Sequence, residues 1–293
     1  MEKINLRLPI KKLLLCFILA GSIPGYGQDT KTYRVLFLGN SVFYYHGGLY
    51  QPFMGFCKEA GLNYQAVSQR NTPQYPNGIE FLDYGRIPLN LPEIAADSNI
   101  HRLIRSGNFD YVIVEGRRSG FLLPEGVKLT VDRGQPIPYE KNLEAISSIH
   151  QTIVRSGAKT VLYMHPGLHA NEDSRLPIAQ VYQKLHSDLE KMSINGEQHQ
   201  VILVPALYLW MNAMNRYKIE GWYADMTHGN ALARYASACM IYTYITGKDP
   251  RKNAFNKLTE HTWEIADQAN AYVKPDDEKW IKDQVWLYYT TRP

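Results

Sequence analysis

The sequence predicts an α/β domain in which a doubly wound parallel sheet is covered by helices on both faces. Two observations support this fold class. Short β-branched and aliphatic runs alternate with segments of helical spacing, and most of these runs are apolar on both faces, as strands buried between two helix layers should be. From about residue 31 onward there is no internal repeat and no linker rich in Gly, Ser or Pro, so we predict one domain.

Five runs are predicted to be the strands of this sheet. They are Arg34–Leu38, Tyr64–Val67, Tyr111–Val114, Thr160–Met164 and Val201–Val204. Apolar residues at helical spacing fall between and after them, at Leu143–Ile153, Val181–Met192, Ala231–Ile245 and near Trp263–Val273. The repeated βα pattern therefore predicts three layers, with the sheet between two layers of helices.

Composition and charge limit the classes of function. The 293 residues are 45% hydrophobic and 20% charged, which excludes a disordered or fibrous chain. The formal net charge is +4, but the first 27 residues hold four basic residues and one acidic residue and so carry +3 of it. The remaining chain carries about +1, whereas a surface that follows nucleic-acid phosphates needs a strong, clustered basic excess. The charge therefore argues against a nucleic-acid partner.

The amino-terminal segment is typical of a cleavable export signal. Two lysines precede the short apolar run Leu13–Ala20, and Pro24 and small residues follow it. The run is too short to span a bilayer comfortably, and Cys16 lies inside it rather than at its end, which argues against lipidation. We predict a signal peptide at residues 1–27, a single domain at residues 28–293 without a membrane span, and a periplasmic or extracellular location.

Two cysteines remain after this segment, Cys57 and Cys239. Each lies in an apolar stretch with helical character, so we predict two buried thiols. The alternative is a disulfide between them, which an exported protein could retain. No Cys and His spacing in the sequence resembles a structural zinc site.

The first predicted strand ends in a Gly-Asn-Ser motif whose serine is Ser41. A serine at a tight turn after a parallel strand can expose its hydroxyl and keep its backbone N–H free to donate, and an acyl-transfer nucleophile needs both properties. The carboxyl edge of an open parallel sheet is also where ligands bind. Ser41 is therefore a candidate nucleophile, and the alternative is an N-cap of the following helix.

A second candidate motif precedes the predicted helix at Ala231–Ile245. Asp225 and His228 are three residues apart on one loop, so both side chains can turn toward the same point. A carboxylate in this position holds the tautomer of the imidazole and supports the positive charge that the imidazole gains as a general base. The alternative is an aspartate turn beside a surface histidine.

Together the two motifs resemble the first and last sequence blocks of the SGNH (GDSL-type) hydrolases. The resemblance spans about residues 33–246. It implies the flavodoxin-like α/β/α fold of that family, with Ser41 as nucleophile, His228 as general base and Asp225 as the acid that orients the base. It also implies that no cofactor is needed.

The middle blocks of the family are matched less closely. Gly78 corresponds to the glycine whose N–H serves the oxyanion hole, although it could be an ordinary turn glycine. In the third block Gly116 matches, but Arg118 stands where the family has an asparagine, so either Arg118 or Ser119 would donate to the oxyanion. His165, at the end of the fourth predicted strand, is expected to contact substrate or to serve as a structural histidine.

A zinc site is a weaker interpretation of the same edge. It would collect His165, His169, Asp225 and His228, but these residues come from two loops and lack the helical spacing of metalloproteases. We therefore expect no metal. Four aromatic residues flank the two motifs and are candidates for stacking on a sugar; they are Tyr44, Tyr45, Trp222 and Tyr223.

The resemblance and the export signal together imply an exported serine esterase that removes a small acyl group, acetyl by family precedent, from a carbohydrate. Two alternatives stay open, and the first of them is motivated by the departure of Arg118 from the family pattern. One is a carbohydrate-binding protein of the same fold with weak or no activity, and the other is a sugar O-acyltransferase that uses the same three residues. In each case the expected partner is a small-molecule or polysaccharide ester.

Overall fold

Five parallel strands form the central sheet in a computed structural model of the protein. The structure describes residues 31–39, 41–44, 48–68, 91–116, 137–164, 175–225, 228–258 and 271–291. The strands are β1 (Tyr33–Leu38), β2 (Tyr64–Ser68), β3 (Tyr111–Val114), β4 (Lys159–Tyr163) and β5 (Ile202–Val204). Their spatial order is β2-β1-β3-β4-β5, and every neighbouring pair is parallel. This is the flavodoxin-like order of doubly wound sheets, so the predicted fold class is confirmed.

The register of the strands brings their carboxyl ends to one edge. Leu38 of β1 lies opposite Val114 of β3, and Val114 lies opposite Leu162 of β4. The residues that follow β1 and β3 therefore leave the sheet side by side. The strand order reverses at β1 and β3, and ligands bind at such a switch point in open α/β sheets.

Helices flank the sheet on both faces. They are α1 (Ser41–Tyr44), α2 (Tyr50–Glu59), α3 (Leu91–Ala96), α4 (Ser98–Ser106), α5 (Tyr139–Arg155), α6 (Arg175–Glu190), α7 (Ala206–Tyr217), α8 (Ala231–Thr246) and α9 (Pro275–Thr291). A short 3₁₀ helix at Pro250–Lys252 and a hairpin of Ser193–Ile194 with Glu197–Gln198 complete the regular structure of the described residues.

The strands β1, β3, β4 and β5 divide their side chains between two cores, because successive residues of a strand point to opposite faces of the sheet. In β1, Val35 and Phe37 face one core, whereas Leu36 and Leu38 face the other. The first core includes residues of α1, α2, α7, α8 and α9. The second includes residues of α3, α4, α5 and α6. The strands β1, β3, β4 and β5 run between these two helix layers, which explains their largely apolar sequence, whereas Gln65 of the edge strand β2 is exposed.

The predicted strands agree with the structure to within one residue at each end. The predicted helices at Leu143–Ile153, Val181–Met192 and Ala231–Ile245 correspond to α5, α6 and α8. Most of the predicted helix near Trp263–Val273 lies outside the described residues. Within its described part, Tyr272 forms an isolated bridge with Lys257, which is not helical structure.

Two further expectations concern the cysteines and the chain ends. Cys57 and Cys239 are both buried and free, as predicted, and burial raises the pKa of both thiols so that they stay protonated at neutral pH. Residues 1–27 lie outside the described part, so the signal peptide stays a prediction. Among the described helices, none combines the length and apolar character needed to cross a membrane.

Candidate active site

Ser41 lies at the carboxyl edge of the sheet, three residues after the end of β1. It is the first residue of α1, so it lies inside the helix and not at its cap position. The Ser41 Oγ atom is 2.8 Å from His228 Nε2, although the two residues are 187 positions apart in the sequence. The fold therefore brings the serine of the first motif into hydrogen-bond contact with the histidine of the second.

Asp225 contacts His228 through both of its carboxylate oxygens. Asp225 Oδ2 lies 2.7 Å from His228 Nδ1, and Asp225 Oδ1 accepts a hydrogen bond of 2.6 Å from the backbone N–H of His228. Because an ionised carboxylate can only accept, the Nδ1 atom carries the proton. The Nε2 atom of the neutral ring is then the acceptor that faces the Ser41 hydroxyl.

The loop that carries Asp225 and His228 is closed by its own hydrogen bonds. The backbone N–H of Ala224 donates to the carbonyl of His228 at 2.8 Å. At the end of the loop, the Asn230 side chain donates to the carbonyl of Gly221 and caps α8 by accepting from the N–H of Ala233. These contacts fix the loop against the helix that follows it.

Buried aromatic residues lie beneath this loop. The ring of Trp210 lies 5.9 Å from that of Trp222 and 5.1 Å from that of Tyr223, both in edge-to-face geometry. A Cβ atom at Gly229 would lie 2.5 Å from the Trp210 ring, so this position requires a glycine. The indole N–H of Trp210 donates to Ser237 Oγ at 2.9 Å. The aromatic cluster therefore supports the loop from below.

The expectation that Trp222 and Tyr223 stack on a sugar is wrong. Their side chains are 0% and 6% exposed, because they pack against Trp210 inside the core. Of the other two candidates, the side chain of Tyr44 and the whole of Tyr45 lie outside the described residues. The aromatic residues beside the second motif are thus structural support for the loop.

Asp225 and His228 differ in exposure. The His228 side chain is 16% exposed and the Asp225 side chain is 43% exposed, so the pair lies at the surface end of the site. Arg234 is almost fully buried beneath it and donates to the carbonyl of Gly229 at 3.3 Å. Arg234 was not predicted from the sequence; its signal is one arginine near the start of an otherwise uncharged helix.

A small cavity of about 10 Å³ adjoins the Ser41 and His228 side chains. Its lining consists of Ser41, Val42, Leu49, Trp210, His228, Gly229 and Arg234. A larger cavity of about 720 Å³ lies beside the edge strand β5, and its lining also includes Tyr111 and Lys159 at the amino ends of β3 and β4 but neither Ser41 nor His228. Since open parallel sheets bind ligands at the carboxyl ends of their strands, we assign the candidate active site to the smaller cavity.

The remaining predicted site residues cannot be placed in this arrangement. Gly78, Arg118, Ser119 and His165 lie outside the described residues, as does His169. The predicted oxyanion hole therefore stays a prediction. Among the residues that the structure does describe, no group of three or more His, Cys, Asp or Glu side chains could hold a metal ion.

Comparison with known proteins identifies similar folds. No family model and no curated protein matches the sequence. A solved DUF4886 family protein from Bacteroides uniformis is similar with a TM-score of 0.56 and 11% identity, over 89% of this chain and 95% of that one. An acetyl xylan esterase is similar with a TM-score of 0.44 and 15% identity, over 72% of this chain and 98% of that one. An acetylxylan esterase from Geobacillus stearothermophilus is similar with a TM-score of 0.46 and 10% identity, over 76% of this chain and 94% of that one. The first of these likenesses shows a shared α/β fold.

Proposed function

We propose that the protein is a serine esterase in which Ser41 is the nucleophile, His228 the general base and Asp225 the carboxylate that orients the base. The observation that carries this proposal is one continuous series of contacts: 2.7 Å from Asp225 Oδ2 to His228 Nδ1 and 2.8 Å from His228 Nε2 to Ser41 Oγ. Both distances are those of direct hydrogen bonds. A nucleophile, a base and an orienting acid in this order define the chemistry of acyl transfer.

In the first half of the reaction, Ser41 Oγ attacks the carbonyl carbon of the ester while His228 Nε2 accepts the serine proton. The resulting imidazolium is stabilised by Asp225, which already contacts its Nδ1–H. When the tetrahedral intermediate collapses, the bond to the leaving alcohol breaks and His228 returns the proton to that alcohol. A water molecule then attacks the acyl-enzyme through the same base, which releases the acid and free Ser41.

Two features argue against a chance contact of a surface histidine. First, Asp225 accepts from both the ring and the backbone N–H of His228, so the ring is fixed in position and not only paired. Second, the serine and histidine come from opposite ends of the domain and meet at the switch point between β1 and β3. A purely structural serine at the start of α1 would not need a histidine that is oriented in this way.

The oxyanion hole in this proposal comes from backbone and side-chain donors that surround the attacked carbonyl. We assign the N–H groups of Ser41 and Gly78 to it, with Arg118 or Ser119 in place of the asparagine of SGNH hydrolases. A guanidinium can supply the required positive potential. His165 is assigned to substrate contact at the same edge.

For the substrate class we propose an acetyl ester of a carbohydrate. Support comes from the resemblance of the Gly-Asn-Ser and Asp-X-X-His motifs to SGNH hydrolases and from the export-type amino terminus, residues 1–27. In this proposal the mature chain starts near Gln28 and works in the periplasm or outside the cell. Acetylated polysaccharides are substrates that an exported esterase would meet there.

The test uses the protein purified after export, with Ser41→Ala as its matched control. We expect the wild type to hydrolyse an activated acetyl ester and to release acetate from acetylated glycans, whereas Ser41→Ala does neither. A fluorophosphonate probe should label Ser41 in the wild type and should fail to label the His228→Ala variant. Equal inactivity of wild type and Ser41→Ala, with no labelling, would overturn the proposal in favour of a binding protein. Transfer of acetyl to a sugar instead of water would identify an acyltransferase.

A further inference from the structure

The larger cavity, beside the edge strand β5, has no part in the proposed reaction. Its volume is about 720 Å³, and its lining comes mainly from α6, β5, α8 and α9. Because α6 packs on one face of the sheet and α8 on the other, the cavity lies along the open edge of the sheet between the two helix layers. Pockets of about 300–1,000 Å³ are typical of small-molecule sites. This cavity is therefore large enough for a ligand of its own.

Aromatic rings line the cavity on the side of α8 and α9. The rings of Tyr244 and Tyr289 lie 5.3 Å apart in edge-to-face geometry, and Trp286 stacks on Tyr289 at 5.4 Å. The guanidinium of Arg251 lies 5.4 Å from the Trp286 ring. Gly247 follows α8 with a φ of +70°, and a Cβ atom there would lie 3.2 Å from the Tyr289 hydroxyl oxygen. These contacts hold the Tyr289 ring at the wall of the cavity.

Hydrogen-bonding groups line the side of α6 and the start of β5. Gln183 donates through Nε2 to the Tyr208 hydroxyl at 3.2 Å, so its carbonyl oxygen is still an acceptor. His186 Nε2 lies 2.9 Å from the carbonyl of Val201, which can only accept, so Nδ1 is the acceptor of the neutral ring. Gln200 is exposed and carries two donors and an acceptor. The lining thus combines rings with groups that can both donate and accept.

The charges of the lining offset each other. Apart from the titratable His186, Lys159 and Glu190 are the two ionisable Lys, Arg, Asp or Glu side chains among the described residues that line the cavity. One carries a positive charge and the other a negative charge. A site for phosphate, sulfate or a polyanion would need clustered Arg or Lys side chains. The lining therefore favours a neutral, polar ligand.

The open edge of a sheet can also accept a strand from another protein chain, which needs a row of free backbone groups. Here β5 is only three residues long, Ile202–Val204. Pro205 follows it and has no backbone N–H, and the carbonyl of Val201 before it already contacts His186. The edge therefore offers too few backbone groups for an added strand.

We propose that this cavity is a second binding site, for a neutral carbohydrate chain, and that it is separate from the site of Ser41. The C–H face of a sugar is apolar and packs on aromatic rings such as those of Tyr244 and Tyr289. Its hydroxyl groups donate and accept, which matches the amides of Gln183 and Gln200. The ligand class agrees with the proposed substrate but follows from the lining alone. Binding at this cavity does not require Ser41 to be a nucleophile.

The test is calorimetric titration of the Ser41→Ala variant, in which the proposed reaction cannot occur. The probes are the hexasaccharides of cellulose, xylan, mannan and chitin, with and without acetyl groups, and we expect at least one to bind. Tyr289→Ala should then raise Kd about tenfold, and Gln200→Ala about twofold to tenfold. The matched controls are Tyr272→Ala and Gln198→Ala, which alter exposed residues of the same types outside the lining and should leave Kd unchanged.

Three results would overturn the proposal. The first is that none of these hexasaccharides binds. The second is that Gln200→Ala and Gln198→Ala have the same Kd as the parent; because Gln200 is exposed, this comparison decides even if Tyr289→Ala does not fold. The third is tighter binding of a polygalacturonate hexamer than of every neutral probe, which would mean that the site selects an anion.

Hydrogen exchange locates the bound sugar without any substitution in the cavity. Peptides that cover residues 200–205 and 244–248 should exchange more slowly when the hexasaccharide is bound. Slower exchange confined to the peptides that carry Ser41 would place the sugar at the candidate active site alone and would overturn the proposal.

Sedimentation velocity tests whether a second copy of the chain covers the cavity instead. We expect Tyr289→Ala and Gln200→Ala to sediment as the wild type does. A wild-type dimer that both variants dissociate would show an interface between copies and would overturn the proposal. If the wild type is no more active on esters than Ser41→Ala, the proposed function fails, and the binding data still decide the second site. If the wild type is active but binds no hexasaccharide at this cavity, only the second site fails.

Discussion

The two helix layers differ in the kind of side chain that they pack against the sheet. The core beneath α1, α2, α7, α8 and α9, here called the aromatic layer, contains many large rings; those buried are Phe37, Phe43, Phe53, Phe56, Tyr163, Trp210, Trp222, Tyr223, Tyr235 and Tyr242. The core beneath α3, α4, α5 and α6, here called the aliphatic layer, is built mainly from Leu, Ile and Val, with Phe109 and Tyr182 as its buried rings. Ser41, Asp225 and His228 are all carried by elements of the aromatic layer.

This difference shows how the molecule fixes its candidate site. Phe43 follows Ser41 by two residues, and its ring packs edge-to-face on Phe37 at 5.4 Å and on Tyr163 at 5.1 Å. Trp210 supports the loop that carries His228 in the same way. Aromatic pairs have preferred geometries and few rotamers, so they position the backbone above them more sharply than aliphatic contacts do. Both layers bury apolar surface, and the aromatic layer also positions the backbone that carries the candidate site residues.

The largest effect is expected from a histidine of the aromatic layer. His228→Ala should reduce kcat/KM by about 10⁴-fold to 10⁶-fold, the range known for removal of a base from a catalytic triad. Its free energy of unfolding should change little, because His228 lies at the surface end of the site. The matched control is His101→Ala in the aliphatic layer, which should keep full activity. Steady-state kinetics on the same ester measure both variants, and comparable losses would contradict the assignment.

A comparison of two core residues tests whether the aromatic layer directs the site. Phe43→Ala should lower the free energy of unfolding by about 3–5 kcal/mol and Ile149→Ala by about 2–5 kcal/mol, because each leaves a cavity in its core. Only Phe43→Ala should also lower kcat of the folded protein, by at least about tenfold, since it releases the helix that begins at Ser41. Urea unfolding and active-site titration with the fluorophosphonate separate the two effects. Equal kcat in both variants would mean that the aromatic layer does not position the candidate site more sharply than the aliphatic layer does.

Asp225→Asn should have a smaller effect than loss of His228. It keeps the shape of the side chain but allows the wrong tautomer of His228 and removes the charge that supports the imidazolium. We expect kcat to fall by at least about tenfold but by less than the roughly 10⁴-fold seen in serine proteases of unrelated fold. Asp249→Asn, which breaks the exposed ion pair with Arg251, is the control and should change nothing. An unchanged kcat in Asp225→Asn would require another carboxylate as the orienting acid.

The strands and the two motifs could be predicted from sequence because their signals are local. Continuous β-branched runs identify strands that are buried on both faces. Ser41 follows the first of these strands, and Asp225 and His228 precede the apolar helix α8. The structure brings these three residues together as the motif pairing implied. The topology of a parallel sheet predicts that Ser41 lies at its carboxyl edge, whereas the pairing of Ser41 with Asp225 and His228 was implied by the resemblance to SGNH hydrolases.

The supporting residues could not be predicted, because their roles depend on contacts between distant segments. In the sequence Glu115 is only an acidic residue that follows a strand. The register of β1 and β3 is needed to show that it lies beside Gly39. Trp222 was expected to face a sugar because it flanks the second motif. Proximity in the sequence does not reveal the direction of a side chain, and Trp222 is buried. The helix α9 was missed for a different reason: its buried positions are Ile281, Lys282 and Val285, and a lysine among them breaks the apolar pattern.

The smallest predicted effect compares how the two layers respond to pH. His150 is fully buried in the aliphatic layer, where its Nδ1 atom lies 2.8 Å from Thr160 Oγ1. Burial lowers the pKa of His150 to about 4, and the charge of His199 adds to this effect.

In the unfolded chain a histidine has a pKa of about 6.5, so between pH 6.5 and 4 the unfolded state binds a proton that the native state does not. The stabilising contribution of neutral His150 is therefore complete above pH 6.5 and is lost as the pH falls toward 4, by about 2 kcal/mol at pH 5. In the aromatic layer, burial raises the pKa of Tyr235 and Tyr242, so the stabilising contribution of these neutral hydroxyls should be lost only above about pH 10. Urea unfolding of wild type and His150→Gln between pH 7 and pH 4.5 measures the acid response. A His150→Gln variant with the same pH dependence as wild type would show that the acid sensitivity arises from groups other than His150.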